Sequence, residues 1–171
     1  DLVLYIGLGV MFWSYISTFF IDGATTFIDQ AGLVTQTNIP HRILIYRRLM
    51  SQIIVFAHIF TLYPIAILFL DVEVNRATLY FPIGLALITI QGALIISISA
   101  LLCTRFRDLI MITRNIIQVS FFVTPIFWNP AALTSDRLFV IEYNIFYHMM
   151  VLVRNPLLGE YAPTTSYIVV F

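Results

Sequence analysis

Leu79–Cys103 reads LYFPIGLALITIQGALIISISALLC, and the reading of this run decides the fold. It holds no charge, and Gln91 is its only strongly polar member. About 20 mostly apolar residues suffice for a helix to cross the ~30 Å hydrocarbon core of a bilayer. A single run of this kind also fits a buried helix of a soluble protein. Its neighbours remove that alternative. Leu2–Ile21 is free of charge up to Asp22, and Leu49–Leu70 is interrupted only by His58 and Pro64. Leu109–Trp128 carries Arg114, Asn115 and Gln118 in its first half and is apolar after them. Tyr167–Phe171 (YIVVF) reads as the opening turn of a further apolar helix. Four spans and the start of a fifth predict an all-α, polytopic membrane bundle.

Composition agrees. Of 171 residues, 60% are apolar and 11% charged, and the mean hydropathy is +0.94. Soluble domains carry about 25% charged residues. The formal net charge is zero, so nucleic acid is not an expected partner. Cys103 is the single cysteine, which excludes an internal disulfide. The chain starts at Asp1 rather than Met and stops inside an apolar run, so both ends read as truncated.

Short cytoplasmic loops are enriched in basic residues, and this gives an orientation. All nine basic residues are arginines. Arg42, Arg47 and Arg48 lie in the 22–48 connection, and Arg105, Arg107 and Arg114 lie at or just after the turn that follows Cys103. These two alternate loops are expected in the cytoplasm. The 71–78 loop sets Arg76 against Asp71 and Glu73. The 129–166 stretch sets Arg137 and Arg154 against Asp136, Glu142 and Glu160. Both are expected outside. Within 129–166, Leu138–Val140 and Ile145–Val153 are apolar but too short to span, as re-entrant or interfacial segments are. Asn155-Pro156 and Leu158-Gly159 read as helix terminators. The expectation is two short helices dipping into the outer leaflet, the alternative being an external loop folded on the bundle. The chain reads as one domain over 1–171.

Chemistry of its own is not expected. No GxxxxGK[ST] loop is present to cradle a nucleotide, and there is no HExxH or GxSxG. His41, His58 and His148 fall too far apart for a shared metal. Asp22 and Asp29 are expected past the end of the first span rather than inside it, so a carboxylate proton relay has no support.

Several blocks occur in a telling order: Trp13-Ser14; Ala31-Gly32-Leu33-Val34; Asn38-Ile39-Pro40-His41-Arg42-Ile43; Thr104-Arg105-Phe106-Arg107-Asp108-Leu109; Phe121-Phe122-Val123-Thr124-Pro125-Ile126-Phe127-Trp128; Tyr143-Asn144-Ile145-Phe146; and Val153-Arg154-Asn155-Pro156-Leu157-Leu158-Gly159. Together they resemble the permease subunit of ABC-2-type (type V exporter-like) transporters of O-antigen, capsule and teichoic acid. RFRD and TPIFW are the most specific blocks. Tyr143-Asn144-Ile145 departs from the pattern, where Asn-Pro is usual. The resemblance spans nearly the whole chain, from the second helix to the start of the sixth of that family's domain. It implies a multi-pass protein of the bacterial inner (plasma) membrane, working as a homodimer with a separate nucleotide-binding ATPase. ATP and Mg would sit on that partner, with no cofactor on this chain. The cargo implied is a lipid-linked polysaccharide or polyol-phosphate chain.

The resemblance makes the 22–48 connection the coupling loop to the ATPase, with Asn38, Pro40, His41 and Arg42 at its centre. The residue before Pro40 is expected extended, with a helix starting after it. The alternative for the arginines is anchoring among lipid headgroups. Arg105 and Asp108 stand three apart, the spacing of an ion pair on one helical face, while Arg107 points elsewhere. The sharper alternative has Arg105 or Arg107 meeting the ATPase or a lipid phosphate. Tyr15 and Phe19, spaced as neighbours on one face, are expected either to line a glycan path or to pack the bundle. Phe122, Pro125 and Trp128 fall where an outer gate would lie, with Pro125 expected to kink its helix and Pro64 to do the same in its own. Trp13 and Trp128 taken singly read as interfacial anchors or packing residues. Two rivals stand beside the polysaccharide exporter. One is an ABC-2 exporter of drugs or other small lipophiles. The other is a membrane-embedded transferase acting on lipid-linked sugars, which would need acidic or histidine clusters that this chain lacks.

Overall fold

The computed structural model describes residues 2–36, 39–70, 75–128 and 139–170, and all regular structure among them is helical. Three helical stretches are long and apolar enough to cross a membrane: Leu2–Asp29, His41–Phe69 and Arg76–Arg105. The first is a single helix, α1 (Leu2–Asp29). It does not stop at the polar Asp22, because loss of hydrophobicity alone removes no backbone hydrogen bond. Asp22 therefore lies inside the helix rather than past its end, and the Thr26 hydroxyl donates back to its carbonyl at 2.8 Å. After the short α2 (Ala31–Gln36) comes α3 (His41–Phe60), then α4 (Leu62–Leu70). The interruption falls at Thr61. Pro64 has no N–H for the Phe60 carbonyl and its ring crowds that turn. The chain yields there, and Thr61 donates its hydroxyl to the His58 carbonyl at 2.6 Å.

A 3-10 turn, Arg76–Tyr80, is capped by Asn75, whose side chain accepts from Ala77 N at 2.7 Å. It leads into α5 (Phe81–Arg105), with Pro82 in the first turn where its missing N–H costs nothing. α5 runs parallel to α1, with Tyr15 against Thr89, Phe19 against Gly92 and Gly23 against Ile96, and is its principal neighbour. The approach is close because Gly92 has no Cβ. A methyl there would sit 2.6 Å from the Phe19 ring, so glycine is the seat on which that ring rests. Gly84 does the same beneath the Leu152 carbonyl. Small residues at such crossings let helices meet where no hydrophobic effect drives them together.

The fourth apolar segment differs from its sequence reading. α6 covers Leu109–Val123, only 15 residues, and 124–128 leave the helix. At 1.5 Å per residue this is about 22 Å, short of a full span. Pro125 does not kink the helix but ends it. Thr124, the residue before it, is extended at φ −81, ψ 135, as the proline ring requires of its predecessor.

Beyond the undescribed 129–138 come α7 (Phe139–Glu142), α8 (Ile145–Leu157) and α9 (Thr164–Val170). α8 ends where Pro156 and Gly159 stand, the latter at φ +82, a conformation glycine adopts without strain. Rather than lying on the surface, α8 is wedged between α1, α5 and α9, and 148–154 are buried without a break. The core lies where α1, α3, α5 and α8 meet. Phe12, Phe56, Phe60 and Phe81 form an aromatic stack there, with Phe60 and Phe81 parallel at 5.0 Å. The outer faces of α4 and α5 are apolar as well: Leu68 is 80% exposed and Leu101 64%. Such a surface suits hydrocarbon, whereas soluble proteins rarely present one.

Candidate functional site

The C-terminal end of α1, the start of α3 and the end of α5 lie together, since Phe27, Leu44 and Ala100 form one cluster. This is the arginine end. Pro40 caps α3 at φ −59, ψ 132, and Pro40, His41 and Arg42 are all exposed. Asn38, the fourth residue of the expected coupling set, lies outside the described residues, as do Asp71, Glu73, Asp136 and Arg137 of the charge pattern. His41 sets its ring edge-on to Phe27 at 5.5 Å. Arg48 pairs with Asp29 at 2.8 Å, and the same carboxylate oxygen accepts from Thr25 at 2.7 Å. Arg47 reaches Gln30 at 3.4 Å. Arg42 is exposed and has no hydrogen-bond or ion-pair partner among the described residues.

Arg105 and Asp108 do not pair: among the described residues Arg48–Asp29 is the only ion pair. Their spacing of three makes them neighbours only on a continuous helix, and the helix is broken between them. Arg105 ends α5, Phe106 is extended at φ −124, ψ 91, and Asp108 stands at the start of α6. Arg105, Arg107 and Asp108 are all exposed.

Toward the opposite end four of the seven sequence blocks converge. Asn144 caps α8 by accepting from Phe146 N at 3.0 Å and Tyr147 N at 3.2 Å, while its amide donates to the Thr124 hydroxyl at 3.1 Å. Arg154 Nη1 donates to the Pro125 carbonyl at 2.9 Å. The Tyr5 hydroxyl shares itself between the carbonyls of Pro125 and Trp128 at 3.3 and 3.4 Å. The Arg154 guanidinium stacks over the Tyr5 ring, 4.0 Å from its centre. Trp13 packs between Phe121 and Phe146 at 5.6 and 5.4 Å. Arg154 is 2% exposed, and its Nε has no partner among the described residues. Pro125 is buried, Trp128 half-buried and Phe122 71% exposed.

Arg154 is the residue that charge counting misplaced, as one more loop arginine. Its signal was the unbroken apolar run Met149–Val153 before it, with Met150 four residues back on the same helical face. His148 is likewise structural, held at both nitrogens by Ser166 Oγ and the Glu142 carbonyl at 2.9 Å each. No three metal-binding side chains come together among the described residues.

Between the two ends, Phe19 is wholly enclosed and Tyr15 is 4% exposed, its hydroxyl on Thr89 at 3.0 Å. Both pack the α1–α5 crossing in this arrangement. Tyr15 also borders a cleft of about 90 Å³ between α1 and α3, together with Ser14, Thr18, Asp22 and Gln52. Gln52 donates to the Thr18 carbonyl at 3.0 Å and faces Asp22 at 3.5 Å. A wider groove lies between α1 and α6, walled by Trp13, Ser17, Arg114, Gln118, Phe121 and Phe122. No protein-family model and no curated protein matches this chain.

Proposed function

We propose that this chain is the membrane-spanning permease subunit of an ABC-2-type exporter that moves a lipid-linked polysaccharide outward across the bacterial inner membrane. The observation that carries the reading is the convergence of four of the seven blocks behind the resemblance. Residues of four separate stretches pack together: Asn144 bonds Thr124, Arg154 bonds the Pro125 carbonyl, and Trp13 lies between Phe121 and Phe146. A resemblance made of scattered chance matches gives no reason for those residues to touch.

The remaining features fit the same role. Three long apolar helices with apolar outer faces suit a membrane domain. The exposed Pro40-His41-Arg42 corner, with Arg42 unpaired among the described residues, offers a contact for an ATPase subunit at the cytoplasmic face. ATP and Mg belong to that subunit, since this chain carries no phosphate loop. In this reading two copies form the path, and α8 is a re-entrant helix of the outer leaflet.

The test is co-purification of the full-length protein with a nucleotide-binding ATPase from its host membrane. Association is expected, with ATPase activity that Arg42→Glu reduces while membrane insertion stays intact. Purification without any ATPase, or stimulation unmoved by Arg42→Glu, contradicts the coupling role. An ATPase stimulated by small lipophiles rather than by lipid-linked glycans favours the drug-exporter reading.

A further inference from the structure

The groove between α1 and α6 holds the polar groups that the membrane reading leaves without purpose. Arg114, Asn115 and Gln118 are exposed on α6, and none has a hydrogen-bond or ion-pair partner among the described residues. Counting from Leu109 at 1.5 Å per residue, Arg114 lies about 7 Å into the helix and Gln118 about 13 Å. Arg114 is shallow enough to meet the phosphate layer of the leaflet at the arginine end. Gln118 is not. An unpartnered amide at that depth is costly in hydrocarbon, and intramembrane polar side chains face cavities or ligands rather than lipid tails.

The opposite wall supplies what a sugar would need. Ser17 gives its proton to the Ser14 carbonyl at 3.0 Å, so its hydroxyl oxygen remains an acceptor toward the groove. Deeper still stand Trp13 and Phe121, whose rings tilt together at 5.6 Å, with the exposed Phe122 beside them. The order along the groove is therefore a cation, then an amide and a hydroxyl, then aromatic rings. An ordinary phospholipid has the anion, and phosphatidylglycerol hydroxyls too, but neither has a ring face for the aromatics. A glycosyl phosphate joined to a lipid tail satisfies all three: anion on the guanidinium, hydroxyls on Gln118 and Ser17, apolar sugar face on the rings.

We infer that the α1–α6 groove binds the phosphate and first sugar of a lipid-linked glycan, with Arg114 on the phosphate and Gln118 on the sugar. This rests on the exporter reading and names where its cargo is held at the cytoplasmic leaflet.

Trp13 makes the binding visible. The sequence has two tryptophans, so Trp128→Phe leaves Trp13 as the only tryptophan of the sequence given, inside the groove. The full-length protein carrying that change, in phosphatidylcholine nanodiscs, is titrated with a polyprenyl diphosphate bearing one hexose. A saturable change in emission is expected. Arg114→Gln should weaken it roughly tenfold or more, as loss of a charge-assisted hydrogen bond does, and Gln118→Leu by a smaller factor. Polyprenol and phosphatidylglycerol should not reproduce it. Native mass spectrometry of the protein with both tryptophans intact, against Arg114→Gln, reads retention of the same lipid without relying on fluorescence. No saturable binding, equal binding by Arg114→Gln, or an equal response to polyprenol or phosphatidylglycerol overturns the assignment. Absent binding in a protein whose host still needs it for export removes the groove and leaves the function standing. Intact binding in a protein that its host does not need for export removes the function and leaves the groove.

Discussion

Replacing Arg154 probes the tie on which the end of the bundle opposite the arginines depends. Three interactions go with the guanidinium: the 2.9 Å bond to the Pro125 carbonyl, the contact with Met150 sulfur at 3.5 Å, and the stack over Tyr5 at 4.0 Å. A hydrogen bond from a charged donor contributes about 1.5–3 kcal/mol, and a desolvated cation–π contact about 2 kcal/mol. Against this stands the cost of burying a guanidinium with an unpartnered Nε, several kcal/mol in real proteins. Arg154→Ala removes gains and cost together, so the polar terms nearly cancel. What remains is a cavity at a 2% exposed site and a Pro125 carbonyl left with only the long Tyr5 hydroxyl bond. The expected loss is about 3–5 kcal/mol, in the range of large-to-small core substitutions. Arg154→Met fills the space and should recover roughly half of it by the same reasoning. The two are compared by reversible unfolding in mixed micelles, read by tryptophan emission. A double-mutant cycle with Tyr5→Leu reads the coupling of Arg154 to Tyr5, the stack together with the shared Pro125 carbonyl, and should give about 1–2 kcal/mol. A loss under about 1 kcal/mol for Arg154→Ala, or a coupling indistinguishable from zero, refutes the view of Arg154 as a tie.

Further expectations come from neighbouring contacts. Asn144→Ala removes the α8 cap and the bond to Thr124, and the same unfolding assay should show a loss of about 1–2 kcal/mol. Gly92→Ala drives a methyl into the Phe19 ring and should cost about 1–3 kcal/mol, with Phe19→Leu in the same chain restoring part of it. Asp29→Asn breaks the Arg48 pair, whose side chains are 23% and 50% exposed, and should change stability by less than about 1 kcal/mol. Asp108→Asn should leave stability nearly unchanged, because no ion pair with Arg105 exists to lose.

The helices were legible because hydropathy over 20 residues is a strong signal, and Leu79–Cys103 lies wholly within the helical stretch Arg76–Arg105. Ends were less legible, since hydropathy marks where a chain stops being apolar and not where its hydrogen bonds stop. α1 therefore runs through Asp22 to Asp29, while α6 stops five residues short of Trp128 under the steric demand of Pro125. The expected Arg105–Asp108 pair rested on helical spacing across a turn that is not helical. The knot around Arg154 was legible only as a set of familiar blocks. That those blocks touch is a tertiary fact, carried by contacts between residues 20 to 120 positions apart, from Asn144 with Thr124 to Tyr5 with Pro125. The α1–α6 groove was half legible: Arg114 and Gln118 stood out in an apolar run, but Trp13 read only as an anchor or packing residue and Ser17 gave no signal.

The most direct test of the exporter reading is deletion of the full-length gene in its host, followed by extraction of lipid-linked glycans and measurement of surface polymer. The account predicts loss of surface polymer, with long lipid-linked chains accumulating on the cytoplasmic side. Normal surface polymer, together with new sensitivity to a small lipophilic toxin, contradicts it and points to a small-molecule exporter.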